Sequence, residues 1–531
     1  MRWQKLVLQS SPMEGSMSAG VVVRNVRFLG TTILGLAAVL VACSNEKASP
    51  EIETVVLISI DSLRADRLGV YGHTAPTSPT LDRLATEGLL FKRAYSTTSW
   101  TLPSHAAMLT GLDDYAHGAY QALSPISDGV VTLAERLEKA GTQSTGFFAG
   151  PFLHPTYGFA RGFDQYIDAT SYGWKTEGKP SVNIPHDASH RDVTNPIILN
   201  KVSAWLDDRT ARRNATEDTP HRSFVFIHLW DVHYDYIPPP EYVKIFDPDY
   251  TGSLSGENFR DNPLIRPNMP KRDLQHLLAL YDAEIRYTDD TIAQILELFD
   301  AHGMLETTAV IVTADHGEEF FDHGRTGHGL TLHEEVVRVP LILWLSGRRP
   351  VRSTSEQVVS LIDIAPTVCE LLAVDCGYSG IGNSLVPDYM EQNPPALRQD
   401  ALTELTNAFL KLEMTARIDS GGSILSDNRS GKLFYSSRGG SAAADKPVQV
   451  NEKTLDRHSQ AIRTAANQLR KRSAEAKELG AMILRGETAD AKPIDPHTLE
   501  QLKLLGYLEE GTPVEPSAGA MPGEDANLTS D

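Results

Sequence analysis

The chain has 531 residues, of which 41% are hydrophobic and 22% are charged, a composition typical of a folded globular protein. Its 49 basic and 69 acidic residues give a net charge of −20, which argues against nucleic acid as the main partner because phosphate backbones attract basic surfaces. The acidic balance does not exclude a small phosphate- or sulfate-bearing ligand, since one metal ion reverses the local field.

The first predicted element is an apolar run over residues 28–43, "FLGTTILGLAAVLVAC", which follows two arginines. Positive charge before a short apolar run is typical of a secretory signal. Its end, "LVAC", resembles the lipobox of bacterial lipoproteins, which implies cleavage before Cys43 and a lipid on that cysteine. We therefore expect a signal peptide over 1–43, a polar tether over 44–53, and an extracytoplasmic protein held at the bacterial cell envelope through lipidated Cys43. The alternative is an uncleaved anchor helix, with the same placement.

Strands and helices are predicted to alternate from residue 54 onward. Continuous apolar runs typical of buried parallel strands cover 54–60, 143–149, 223–230, 308–314 and 339–345. Helical patterns lie between them, over 80–87, 104–109, 131–139, 196–207, 272–301 and 363–372. This alternation predicts an α/β domain over 54–400, with a large mixed, mostly parallel sheet sandwiched by helices.

The pattern changes after residue 400. Short strand-like pieces separated by Gly, Ser and Asn predict a small antiparallel sheet, and helices are predicted over 454–483 and 495–508. We therefore expect a smaller C-terminal α+β subdomain over 401–510. Residues 511–531, rich in Pro, Gly and acidic residues, are expected to be a disordered tail.

Besides Cys43, the chain has two cysteines, Cys369 and Cys376. They lie close enough in sequence to form a disulfide in an oxidising compartment. A buried thiol on the helix and a second thiol in the following loop fit the same sequence, and both interpretations stay open.

Polar side chains follow three of the predicted strands. Asp61 follows the first strand, His233 follows the strand over 223–230, and "DHGEEFFDHGRTGHG" brings Asp315, His316 and His328 after the strand over 308–314. Each residue alone has an ordinary reading as a cap, turn or core residue. Because open α/β sheets bind ligands at the carboxyl ends of their strands, the shared position predicts that these side chains meet in one crevice.

Thr101 lies in "TTSWTLPSHAAMLTG", just ahead of a predicted helix whose first turn contains Pro103. Its hydroxyl could simply cap that helix. It could instead act as a nucleophile on an anion held at the helix's positive end. The local sequence alone favours the cap.

Four segments, in order, resemble the sulfatase family of the alkaline phosphatase superfamily. They are "ISIDSLRADRLGVYG", "TTSWTLPSHAAMLTG", "DVHYDYIPP" and "TADHGEEFFDHGRTGHGLTLHEEVVRVPLILW". The resemblance spans residues 54–395. It implies a hydrolase that uses one divalent metal ion (Ca, Mg, Mn or Zn), a kind of ion that carboxylate oxygens and an imidazole suit.

The resemblance also implies a role for each matching position. The metal ligands would be Asp61, Thr101, Asp315 and His316. The histidines His233 and His328 would contact the ester and transfer protons, as groups that titrate near neutrality can do. His105 would lie beside the substrate anion.

The chain departs from the family at the nucleophile. Sulfatases carry Cys or Ser, oxidised to formylglycine, where Thr101 stands, and arginine where His105 stands. Threonine cannot form that aldehyde, so we expect no formylglycine. A sulfated threonine also lacks the second hydroxyl that expels sulfate, whereas a phosphothreonine allows in-line attack at phosphorus. Thr101 therefore favours phosphate esters, diesters or phosphonates. Ser62 stands where the family usually has a second Asp, which leaves one fewer anionic ligand.

The expected function is metal-dependent hydrolysis of a phosphate or sulfate ester, with Thr101 as covalent nucleophile. The substrate would be a small molecule or an ester of a glycan or lipid. One alternative is a phosphotransferase that passes the group to an alcohol on an envelope glycan or lipid at the same site. The other is a non-catalytic relative that binds sulfated or phosphorylated glycans.

Overall fold

This computed structural model describes residues 51–171, 192–215, 222–378, 380–397, 400–407, 412–419, 422–430, 432–437, 448–451 and 460–484. Its strands are β1 (Thr54–Ile60), β2 (Leu89–Tyr95), β3 (Gln143–Phe148), β4 (Gln165–Asp168), β5 (Ser223–Leu229), β6 (Thr308–Ala314), β7 (Glu319–Phe320), β8 (Thr326–Gly327), β9 (Arg338–Val339), β10 (Leu341–Leu345), β11 (Thr354–Ser360), β12 (Asp400–Asn407), β13 (Leu412–Asp419), β14 (Gly422–Asp427), β15 (Lys432–Ser437) and β16 (Val448–Asn451).

The helices are α1 (Pro79–Glu87), α2 (Thr101–Thr110), α3 (Asp114–His117), α4 (Leu133–Lys139), α5 (Asn195–Ala215), α6 (Pro240–Phe246), α7 (Lys271–Ala301), α8 (Glu334–Val337), α9 (Ile364–Leu371), α10 (Val386–Met390) and α11 (Gln460–Leu484). Short 3₁₀ helices lie at Ala65–Arg67, Gly69–Tyr71, Pro151–Leu153, Pro155–Tyr157, Leu305–Thr307 and Leu361–Asp363. The predicted signal peptide, most of the tether, the helix over 495–508 and the tail fall outside the described residues. Within the described residues, no helix is long and apolar enough to cross a membrane.

The main sheet has the strand order β11-β2-β10-β6-β1-β5-β3-β4, with β9 paired to β2. Most neighbouring pairs are parallel, whereas β10 runs antiparallel to both β2 and β6. The fold class predicted from the sequence, a mixed, mostly parallel sheet with helices, is confirmed. Every residue of β1, β5 and β6 is buried, as the uninterrupted apolar runs predict for central strands covered on both faces.

The register of the central strands determines where their ends lie. Ile60, the last residue of β1, pairs with Leu229 at the end of β5 and with Ala314 at the end of β6. The residues that follow these strands, Asp61 and Asp315 among them, are therefore brought to one level at the same edge of the sheet.

Some elements differ from the sequence prediction. The predicted run over 339–345 is divided into β9 and β10 at Pro340, whose nitrogen has no hydrogen to donate to a neighbouring strand. Strands β2, β4 and β11 were not predicted. The apolar run of β2 is interrupted by Lys92 and Arg93, yet Arg93 is buried and donates to the backbone oxygen of Asp419.

The C-terminal sheet is antiparallel, in the order β12-β13-β14-β15-β16, as expected from the sequence. One face buries Leu402 and Ile424 with Ile462 and Leu469 of helix α11. The residue Leu405, three positions after Leu402, belongs to a different cluster with Tyr95, Val358 and Ala416. A disulfide joins Cys369 and Cys376 at the end of α9, the first of the two interpretations that the sequence left open.

Candidate active site

Asp61 and Asp315 are held side by side by Ser62. The Ser62 hydroxyl donates to Asp61 Oδ1 at 2.6 Å, and the Ser62 backbone nitrogen donates to Asp315 Oδ1 at 3.1 Å. Ser62 adopts a φ of 54°, a left-handed conformation that is uncommon outside glycine. This turn lets one residue bond to the side chains at the ends of two adjacent strands.

Three potential metal ligands converge at this position. One donor atom each from Asp61, Asp315 and His316 lies within 4.8 Å of the other two, and all three residues are buried. The His316 Nε2 atom lies 3.3 Å from Asp315 Oδ2 and 3.8 Å from Asp61 Oδ1. The sequence prediction that these side chains meet in one crevice agrees with this geometry.

The charges of the two aspartates compete. Although burial by itself raises the pKa of Asp61, the close imidazoles of His228 and His233 hold that pKa well below its usual range. Burial, together with the negative charge of Asp61, raises the pKa of Asp315 well above its usual range. Asp315 Oδ2 also has no hydrogen-bond partner within the described part of the chain. A divalent cation would allow both carboxylates to ionise, so the donor set fits such an ion.

Thr101 is the first residue of helix α2, whose N-cap is Trp100. The Thr101 hydroxyl therefore does not cap the helix. Its Oγ1 atom lies 3.4 Å from Asp61 Oδ2 and 3.4 Å from His316 Nε2. The sequence left two roles open for Thr101. The structure shows that it is not the N-cap residue and that its hydroxyl lies beside Asp61 and His316.

His105, one turn further along α2, is fully buried beneath Thr101. Its Nδ1 atom donates to the Thr101 backbone oxygen at 2.9 Å, so its Nε2 atom accepts the hydrogen bond from the Ser59 hydroxyl at 2.9 Å. Nδ1 also lies 3.7 Å from Asp315 Oδ2. Because both ring nitrogens contact the protein, this geometry favours a positioning role; contact with the substrate anion stays a prediction.

The two other predicted histidines lie beside this cluster. The ring centroid of His328 is 4.4 Å from that of His316 and 5.1 Å from that of His233. Burial lowers the pKa of both His233 and His328 well below its usual range. Both imidazoles are therefore neutral near pH 7 in the absence of a charged ligand and can accept a proton.

Two buried residues at this site were not assigned a role from the sequence. His228 Nε2 lies 3.4 Å from Asp61 Oδ2. Glu318 Oε1 lies 3.2 Å from His328 Nδ1, and Glu318 Oε2 accepts a hydrogen bond from the Tyr236 hydroxyl at 2.9 Å. Burial raises the pKa of Glu318 to about 8. In the sequence, His228 is marked only by interrupting the apolar run of β5, and Glu318 only by following "DHG". Neither feature predicts which side chain the residue contacts.

Three aromatic residues follow β5 around His233. They are Trp230, Tyr234 and Tyr236, and none is more than 2% exposed. The Trp230 ring stacks on His233 with centroids 4.0 Å apart. Their burial identifies them as packing residues, and the stack fixes the plane of the His233 ring.

Residues 53–374 match the family model described as Sulfatase, more than half of the chain. Arylsulfatase K of Gallus gallus is 23% identical over 371 residues, covering 64% of this chain and 66% of the relative. The chain thus spans about two thirds of the length of that relative.

Two solved structures share the fold. Phosphonate monoester hydrolase of Agrobacterium radiobacter has a TM-score of 0.59 and 19% identity, covering 81% of this chain and 96% of that one. The BT4656 protein, solved with its substrate D-glucosamine-2-N,6-O-disulfate, has a TM-score of 0.60 and 16% identity, covering 84% of this chain and 100% of that one. At these identities the likeness shows a common architecture.

Proposed function

The chain belongs to the sulfatase family of the alkaline phosphatase superfamily, and on that premise we propose that it hydrolyses phosphate or sulfate esters with Thr101 as the attacking group. The observation that carries this proposal is the buried Thr101 hydroxyl, which contacts Asp61 and His316 at the N-terminus of α2. Backbone N–H groups at a helix N-terminus favour an anion, so the negative oxygens of an ester would be stabilised beside this hydroxyl.

Asp61, Asp315 and His316 would hold one divalent ion, with Thr101 Oγ1 as a further ligand. This ion would neutralise the carboxylates and lower the pKa of the Thr101 hydroxyl. The protein supplies the remaining functions itself. Ser62 orients both aspartates, and His105 anchors the backbone of Thr101. The neutral imidazole of His328 lies beside His316 and that of His233 lies beside His328, and we propose that these two rings accept and return the protons.

The reaction takes two displacements. In the first, Thr101 loses its proton, its oxygen bonds to phosphorus, and the bond from phosphorus to the alcohol oxygen breaks as the departing alcohol gains a proton. In the second, water attacks phosphorus, the bond to Thr101 breaks, and a proton returns to the threonine oxygen. We assign these proton transfers to His328, whose ring lies beside that of His316, and to His233, whose ring lies beside that of His328.

Threonine favours phosphorus over sulfur in this scheme. A sulfated threonine has no second hydroxyl on its Cβ, so sulfate cannot be expelled by forming a carbonyl. A phosphorylated threonine is released by in-line attack of water, which positioned imidazoles can assist. We therefore propose phosphate monoesters, diesters or phosphonates as the preferred substrates, carried by a small molecule or a glycan.

The test is an activity panel on the purified full-length chain with Ca²⁺, Mg²⁺, Mn²⁺ or Zn²⁺ added singly. Substrates are nitrophenyl sulfate, phosphate, phosphodiester and phosphonate, with and without an added alcohol as acceptor. We expect turnover of at least one phosphorus ester. The substitution Thr101→Ala should reduce kcat/KM by roughly 10³-fold or more, because it removes the attacking atom.

Thr110→Ala is the matched control, since Thr110 is a buried threonine of the same helix whose hydroxyl donates to the Ala106 carbonyl one turn earlier. It should retain activity. Equal activity of Thr101→Ala and the parent would contradict the nucleophile. Tight metal binding without turnover of any ester would favour a binding protein, and transfer to the added alcohol would favour a phosphotransferase.

We also propose that the protein works outside the cytoplasm as a lipoprotein. The "LVAC" sequence ending at Cys43 and the Cys369–Cys376 disulfide, a bond that persists in oxidising compartments, support this location. In a bacterial host given labelled palmitate, the chain should incorporate label and fractionate with membranes, and Cys43→Ala should abolish the label. Label retained in that variant would contradict lipidation at Cys43.

A further inference from the structure

A second group of potential metal ligands lies between the β7–β8 hairpin and the start of α8, apart from the residues assigned to the central ion. It consists of Glu319 in β7, His323 in the hairpin loop and His333 just before α8. One donor atom from each lies within 4.8 Å of the other two. The two imidazole rings stack with centroids 3.7 Å apart.

The hydrogen bonds of Glu319 leave one of its oxygens unused. Glu319 is fully buried, and its Oε2 atom accepts a hydrogen bond from the Thr331 hydroxyl at 3.0 Å. Its Oε1 atom is buried and has no hydrogen-bond partner among the described residues. Leaving a carboxylate oxygen buried without a partner costs free energy, and a cation is the partner that best offsets that cost.

A second carboxylate adds negative charge beside the imidazoles. Glu335 accepts a hydrogen bond from His323 Nδ1, and only 8% of its side chain is exposed. His323 itself is exposed and His333 is half-buried, so an ion can reach the cluster from solvent. The group therefore combines a buried anionic oxygen with two accessible imidazoles.

We propose that Glu319, His323 and His333 form a second divalent-cation site, suited to a borderline transition metal ion of the Zn²⁺ class. Imidazole nitrogens select such ions over Mg²⁺ or Ca²⁺, and three protein ligands with a fourth position open are a common zinc arrangement. Glu335, which holds His323 Nδ1, orients that imidazole, and the fourth position is left to water.

The site would fasten the hairpin to the segment that begins α8. Glu318, the residue before Glu319, contacts His328, and its backbone nitrogen donates to the Glu335 backbone oxygen at 3.1 Å. An ion bound here therefore restrains the hairpin next to Glu318, the residue that contacts His328. It does so without contacting the central cluster.

The experiment measures Zn²⁺ bound to the untagged full-length chain by equilibrium dialysis and elemental analysis. The background is Asp315→Asn, which removes a ligand of the central ion but no ligand of the hairpin site. We expect one equivalent of Zn²⁺ to remain in that background. Adding Glu319→Gln or His323→Gln should weaken this binding by about 10-fold or more, because each removes a ligand while conserving size.

His302→Ala in the same background is the control, since His302 pairs with Asp207 and belongs to neither cluster. It should bind one equivalent of Zn²⁺ like its parent. No Zn²⁺ bound in the Asp315→Asn background, or equal affinity in the parent and both hairpin variants, would overturn the proposal. Because His323 is exposed, His323→Gln is expected to fold even if Glu319→Gln does not. The readout is binding, so it is independent of turnover.

Discussion

At the residue scale, Ser62 forms hydrogen bonds with the aspartates that follow two adjacent strands, β1 and β6. The sulfatase resemblance implies an acid at this position, whereas here a hydroxyl donates to Asp61 and a backbone nitrogen donates to Asp315. The serine would thus orient a metal ligand in place of supplying one. Partners that orient the ligands of a metal typically affect affinity by 10- to 100-fold.

Ser62→Ala is therefore expected to weaken binding of the central metal ion by about 10-fold or more, since Asp61 loses its 2.6 Å hydrogen bond. Ser62→Asp is the informative partner variant, because aspartate tolerates a positive φ and adds an anionic oxygen. It should bind the ion more tightly than the parent. Metal-dependence curves for activity would measure both, and unchanged curves for both would contradict the role of Ser62.

At the element scale, continuous apolar runs were located from sequence within one or two residues, because β1, β5 and β6 are buried on both faces. Strand β2 was not predicted because Lys92 and Arg93 interrupt its apolar pattern, and one partner of the buried Arg93 lies in distant β13. The convergence of Asp61, Asp315 and His316 followed from strand-end positions. The contact between Glu318 and His328 could not be predicted in this way, because it depends on the path of the β7–β8 hairpin.

Helix α7 provides a pH-dependent contribution to stability at its C-terminus. His302 forms the C-cap, where Nδ1 donates to the Leu298 carbonyl at 2.7 Å and Nε2 pairs with Asp207 at 3.1 Å. The bond to the Leu298 carbonyl, followed by the contact with Asp207, raises the pKa of His302. A protonated histidine at this end also interacts favourably with the helix dipole.

His302→Ala should therefore destabilise the protein more at pH 5.5 than at pH 9. A raised histidine pKa gives stability that is fully present below the unfolded pKa and is lost as pH rises through the folded pKa. We expect the pH-dependent part to be about 0.3–1 kcal/mol, the usual range for a charge at a helix end. Urea unfolding of both proteins at the two pH values measures it, and a larger effect at pH 9 would contradict the sign.

At the scale of the whole molecule, the C-terminal sheet supports the segment that leads to Thr101. The backbone nitrogen of Glu404 in β12 donates to the Thr97 carbonyl at 2.7 Å. Beside it, Leu405 packs with Tyr95 of β2 and Val358 of β11. Sequence alone indicated a separate subdomain here, and could not show this contact because it joins residues more than three hundred positions apart.

Leu405→Ala should lower the free energy of unfolding by about 2–5 kcal/mol, the usual cost of a cavity at a fully buried leucine. It should also reduce kcat, because the segment from Thr97 to Thr101 loses its support. Leu402→Ala is the matched control, since Leu402 is buried on the same strand but packs against helix α11. That variant should lose stability while keeping kcat, and equal kcat values for both variants would contradict the coupling.

The hydrogen bond from Glu404 to Thr97 has a consequence for exchanging parts between relatives. A chimera that joins this α/β domain to another protein's C-terminal sheet must reproduce the register of β12 against the residues before Thr101. A shift of one residue would reverse which side chains face the interface and move the hydrogen bond out of place. The C-terminal sheet and the segment before Thr101 therefore have to be exchanged together, and the boundaries of a chimera belong elsewhere.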